Sequence, residues 1–243
     1  MNSFNFKEYK KRLHVKKFPS FLILIFAIIL LAFFAIYLYP TNTKKHTFYF
    51  VTISSFSTYS KASNFASEIK NLGGAGYVFF EKNYNVLACC FTNKKEAENV
   101  VENLKTTYKN ASVINIEINK NFNTLSLSNL QKNCIENLLN LGVDTVKNLS
   151  KISIEFDSKN ITLPKLKYHI TTINNNFEKE YENFKTLFKT NSKFNAAKEH
   201  LNNINKNLKT LASYSNEQEL NENFKFLIID ICANLKSFTN SIN

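Results

Sequence analysis

The chain writes one strand–helix unit twice. "YFVTISSFSTYSKASNFASEI" runs from Tyr49 to Ile69, and "NVLACCFTNKKEAENVVENL" runs from Asn85 to Leu104. Each copy opens on an apolar, strand-like run that ends in Phe, crosses a few polar residues and then takes up helical spacing. Six, nine, ten and thirteen residues past Phe56 stand Ala62, Phe65, Ala66 and Ile69; the same offsets from Phe91 give Ala97, Val100, Val101 and Leu104. Steps of three and four residues mark one face of a helix. Neither unit can bury its apolar face alone, so the two must share a sheet and cover it.

The intervening residues complete the unit. The patterns predict a strand over Phe48–Phe56, a helix from about Thr58 to Leu72 and a strand over Tyr77–Glu81. "KNYN" then forms a hairpin into a strand over Tyr84–Phe91, followed by a helix from about Asn93 to Tyr108 with Glu96 in a capping box. A last strand covers Ser112–Ile118. "GGAG" holds three of the four glycines; it follows a helix and opens a strand, the reverse of a phosphate-binding loop. The expected architecture is α+β: a βαββαβ unit with a four-stranded antiparallel sheet and both helices on one face. Strand alternation sorts the faces. Tyr49, Val51, Ile53, Val86, Ala88, Ile114, Ile116 and Ile118 are expected to face the helices. Phe50, Thr52, Ser54, Asn85, Leu87, Cys89, Asn115 and Glu117 are expected on an uncovered face, where an extended ligand can lie.

The flanks differ in kind. Phe21–Tyr39 is uncharged, and at 1.5 Å per helical residue it approaches the ~30 Å of a bilayer core. Tyr37 and Tyr39 suit the interface, and Pro40 ends the run. Lys7, Lys10, Lys11, Arg12, Lys16 and Lys17 precede it against Glu8 alone, so the positive-inside bias puts the N-terminus in the cytoplasm and the bulk of the chain outside. A cleaved signal would be shorter and would end on small residues. The expected layout is a basic tail over 1–18, a transmembrane helix over 19–39, a linker over 40–46, the α+β unit over 47–120 and a helical region over 125–243. In that last region helices are expected over Leu127–Leu141 (stopped by Gly142), Leu166–Phe188, Phe194–Leu211 and Leu220–Phe238, with a weaker helix or strand over Val143–Phe156. Their apolar stripes predict a three- or four-helix bundle, or a coiled coil that pairs with another chain.

Composition narrows the chemistry. The net charge is +12, but Arg12 is the sole arginine, and arginine is the residue for bidentate grip on phosphate. Nucleic acid is therefore not an expected partner. Cys89, Cys90, Cys134 and Cys232 sit among apolar residues without a CxxC or zinc spacing, and read as small buried hydrophobes. Cys89 and Cys90 are neighbours on a strand and do not bridge each other; Cys134 and Cys232 both lie on apolar helix faces and can meet. His14 and His46 flank the apolar run, and His169 and His200 lie on different helices. HExxH, GxSxG and SxxK are absent. Glu81 and Glu117, the strand carboxylates that could pair as in a glycosidase, read as solvated surface. No enzyme, cofactor or metal site is expected.

"YFVTISSF", its helix, and "YNVLACCFTNKKEAENVVENL" together resemble the two half-repeats of the sporulation-related repeat, or SPOR, domain. That family reads roughly Y-x-V-Q-x-G-S-F and later Y-R-V-x-V-G-P-F before an E-A-E helix. The resemblance covers about residues 47–118. Here Thr52 stands for the family's Gln, Ser54 for its Gly, and Cys89-Cys90 for its Gly-Pro. The bitopic layout also resembles the stage II sporulation protein B subfamily of septal membrane proteins. The resemblance implies binding to peptidoglycan glycan strands stripped of stem peptides, at the division or sporulation septum, through Phe50, Thr52, Ser54, Asn85, Leu87 and Asn115 on the open sheet face. The bundle is then a spacer or a docking unit for envelope or divisome proteins. The alternative is a membrane-tethered scaffold of the envelope whose SPOR-like fold binds proteins and no glycan.

Overall fold

A computed structural model describes residues 45–122 and 127–243. The basic tail and the expected span, Phe21–Tyr39, lie outside the described residues. Among the described residues, no helix is long and apolar enough to cross a membrane.

The twice-written unit folds as its spacing demands. β1 (Lys45–Phe56), β2 (Tyr77–Phe80), β3 (Tyr84–Phe91) and β4 (Ser112–Asn119) form one antiparallel sheet in the order β2-β3-β1-β4. α1 (Tyr59–Asn71) and α2 (Lys94–Leu104) pack on one face. Their echoed positions do the packing: Ala62, Ala66, Ile69, Ala97 and Val101 are buried, while Phe65, Val100 and Leu104 close the margin. The Asn93 side chain caps α2 by accepting from the Lys95 N–H, which satisfies one of the orphan donors of the first turn. The glycine-rich turn earns its composition at Gly76, where φ is +58° and a Cβ would stand 2.2 Å from the Ala66 carbonyl oxygen.

Four helices follow: α3 (Asn129–Asp157), α4 (Leu163–Leu187), α5 (Asn195–Ser213) and α6 (Glu217–Ser241). Ser128 and Gln131 form a capping box at the start of α3, and Pro164 occupies the first turn of α4. The expected stop at Gly142 is corrected: α3 runs straight through it and takes in Val143–Phe156. Gly142 is there because α3 and α6 approach closely, and a Cβ would lie 2.6 Å from Leu235 Cδ1. A glycine demanded by packing and one demanded by a helix end look alike in sequence.

The two regions do not stand apart. The described residues form one unit, in which α6 lies across β2, β3 and β4 while α3 touches β3. The sheet is therefore sandwiched between α1 and α2 on one side and α3 and α6 on the other. A single apolar cluster joins Phe48, Phe50, Leu87, Cys90, Ile116 and Ile118 of the sheet to the bundle interior.

Candidate functional site

The sheet face expected to be open is closed. Phe48, Phe50, Leu87 and Ile118 are 0% exposed and Ile116 is 1% exposed, all beneath α3 and α6. The face assignment of β4 is also corrected. Ile114 pairs with Phe50 and Ile116 with Phe48, so the isoleucine stripe faces the bundle and not α1 and α2. Asn115 pairs with Tyr49 and Glu117 with Thr47 on the opposite face, where both are exposed. A stripe of three isoleucines follows the thicker apolar cover, and alternation alone cannot say which face that is.

A second correction lies in β3. Val51 pairs with Cys89 and Thr52 with Leu87, which leaves Ala88 as an extra residue. Its carbonyl accepts from the Ala75 N–H at 2.7 Å. The bulge flips the alternation: Cys89 packs toward α1 and α2, and Cys90 goes under the bundle.

The six residues expected to meet glycan are thus divided. Phe50, Thr52 and Leu87 lie inside the seam between sheet and bundle, and Asn115 is exposed on the other face. Ser54 is half-buried opposite Val86, and Asn85 lies beside it at the hairpin end, where its Oδ1 accepts from Ser55 Oγ at 2.5 Å. Thr52 Oγ1 is buried without a hydrogen-bond partner, which is unfavourable for a hydroxyl. Polar contacts also tie the bundle to β2 and to the turn after α1. Tyr77 Oη donates to Asp230 Oδ1 at 2.9 Å, and Lys225 Nζ reaches both the Gly73 carbonyl and Asp157 Oδ2 at 2.9 Å. Phe226 packs on the Tyr77 ring with centroids 5.0 Å apart. Burial foremost, then the Asp230 charge, raises the Tyr77 pKa, so the phenol stays a donor.

The same seam holds thiols and a cavity. Cavity volume is about 220 Å³, with Cys89, Cys90, Phe91, Ser150 and Ile228 in its wall. All four cysteines are free. Burial pushes the Cys90 thiol up to about 12 and Cys134 up to about 11, and raises Cys232 well above its ordinary value, with a smaller contribution from Cys90 nearby. Thiols so shifted are poor nucleophiles and poor metal ligands at neutral pH. Among the described residues no group of three or more His, Cys, Asp or Glu is placed to hold a metal ion. Glu117 pairs with Lys45 at 3.0 Å, while Glu81 is exposed beside the β2–β3 turn.

Besides Asn115 and Glu117 on the outer strand β4, the hairpin end of the sheet stays open. Tyr59, the first residue of α1, and Phe80 of β2 are 61% and 62% exposed. Both lean on Tyr84 of β3, with ring centroids 5.8 Å and 4.8 Å away. Sequence alternation gave no sign of this group, because it joins a helix start to two strand ends.

Residues 45–115 match the family model of the SPOR domain. No curated protein and no solved structure matches the chain. The match spans all but the last residues of β4, and it stops before the bundle. SPOR domains are peptidoglycan-binding domains of cell division, and residues 45–115 of this chain carry one.

Proposed function

We propose that this protein is a non-enzymatic peptidoglycan-binding protein of the division or sporulation septum. The SPOR domain at residues 45–115 carries that reading. The uncharged run Phe21–Tyr39, preceded by six basic residues, supports a single-pass anchor with the N-terminus in the cytoplasm and the bulk of the chain outside. The preferred ligand is glycan stripped of stem peptides, and the bundle is a docking unit for envelope or divisome proteins. The test is co-sedimentation of the full chain, in detergent, with purified peptidoglycan before and after an amidase removes the stem peptides. Retention that rises on the stripped material is expected. No retention on either material would overturn the reading.

A second reading has its own support in the closed sheet face. A membrane-tethered scaffold that binds only proteins needs no exposed glycan platform, and here the platform of Phe50 and Leu87 is interior. Failure on both wall preparations favours it.

A further inference from the structure

If the SPOR domain holds glycan, the sheet face is not where this chain holds it. Phe48, Phe50, Leu87, Ile116 and Ile118 are each at most 1% exposed under the bundle. The large apolar area they hide makes exposing that face comparable to unfolding the domain, because native stability is only a modest multiple of one buried side chain. A face closed so firmly is core, and a ligand needs a surface that already exists.

We infer that the glycan contact of this protein is the aromatic tip formed by Tyr59, Phe80 and Tyr84. This rests on the peptidoglycan-binding reading above. Aromatic faces carry negative potential, so they stack against the C–H-bearing face of a sugar ring. The tip offers two such rings to solvent, braced by a third. Among the described residues the other exposed large apolar residues are Leu72, Leu130, Ile154 and Tyr168; only Tyr168 carries a ring, set against the half-buried His169, so no other place offers two exposed aromatic rings on one shared partner. Single exposed apolar residues are ordinary on a protein surface, whereas clustered ones mark contact sites. Hydrogen-bonding groups stand at the edge: the Asn85 amide, tied to Ser55, and the exposed Asn83 of the turn.

Charge favours the same occupant. Glycan stripped of its stem peptides keeps a lactyl carboxylate on alternate sugars. Exposed Lys61 follows Tyr59 by two residues on α1, and exposed Glu81 and Lys82 follow Phe80 in the hairpin, so the segments that carry the tip have no excess of negative charge. The alternative surface is a groove of about 720 Å³ between the end of α1 and the start of α6, with Lys70, Asn71, Glu217, Gln218 and Glu222 on its walls. It offers amides but no ring, and its two carboxylates repel an anionic strand.

The test uses the full chain in detergent with amidase-stripped peptidoglycan. The paired change Tyr59→Ala and Phe80→Ala should lower retention at least tenfold. Phe80→Leu, which keeps apolar bulk without a flat ring, should also lower it, and Phe80→Trp should preserve it. Leu72→Ala and Tyr168→Ala, equally exposed but away from the tip, should change nothing. Wild-type retention that survives the paired change, or survives Phe80→Leu undiminished, overturns the tip while leaving wall binding intact. Absence of wild-type retention overturns both.

Discussion

The two faces of the sheet are covered by different means. Toward α1 and α2 the sheet presents Val51, Ile53, Val86 and Ala88, set against Ala62, Ala66, Ile69, Ala97 and Val101. Toward the bundle the sheet presents larger residues, Phe48, Phe50, Leu87, Ile116 and Ile118, against helices that begin more than seventy residues after β1. The first cover is local, because β1 and β3 are each followed directly by one of its two helices. The second is remote and thicker. A half-buried sheet that shows only its local cover therefore looks open on the face where it is most deeply buried. Large aromatic and branched residues pointing away from a known helical layer are a demand for a second layer before they are a binding platform.

That contrast can be broken at two adjacent residues. Phe50 and Val51 share β1 and point to opposite covers. Phe50→Ala should cost about 3–5 kcal/mol, and Val51→Ala about 2 kcal/mol. Urea unfolding followed by circular dichroism measures both. Equal small losses would mean that the bundle does not close the sheet. A single transition in the wild type is also expected, since one apolar cluster crosses the seam.

A smaller effect of opposite sign sharpens the comparison. Thr52 puts a buried hydroxyl without a partner into the bundle-side layer. Thr52→Val keeps the shape and removes the stranded polar group, so it should stabilise by about 1 kcal/mol. On an open sheet face the same change would be near neutral, so an unchanged urea midpoint would contradict the closed seam.

The smallest effect is a pH dependence at the edge of that layer. His46 on β1 meets the Phe48 ring edge-on at 4.8 Å. Burial first, then the charges of Lys147 and Lys120, lowers its pKa below 6.5, while Asp144 opposes them weakly. The unfolded chain therefore binds a proton more readily than the folded one. The histidine contribution is fully present above about pH 7 and is lost as pH falls through 6.5 and below. His46→Gln should flatten the urea midpoint between pH 7 and pH 5.5 relative to wild type. An unchanged slope would show that the site is wet.

Much of the fold was legible because it rests on near neighbours. The repeated offsets after Phe56 and Phe91 specified both helices of the SPOR domain. Tyr84–Phe91 was readable to the residue as a strand, and the three- and four-residue steps from Leu166 to Phe238 traced three of the bundle helices. The candidate site was far less legible. Of the six residues placed on an open face, Phe50, Thr52 and Leu87 are interior and Asn115 points the other way. One signal was present: had β4 been aligned on β1, Ile114, Ile116 and Ile118 would have joined Phe48 and Phe50 on one face, too apolar to stay wet.

The sequence by itself determined the local pieces of this protein: the period of each element, the helix start at Asn93, and the glycine-rich turn that opens β2. Only the tertiary structure decided which face of β4 is buried, that Ala88 bulges, that Gly142 is a contact and not an end, and that the bundle closes the sheet. The physical reason is range. Caps and periodicity act over three or four residues, so they are written where they act. Burial of a sheet face is settled by whichever distant surface removes the most apolar area from water, and no local pattern names that surface.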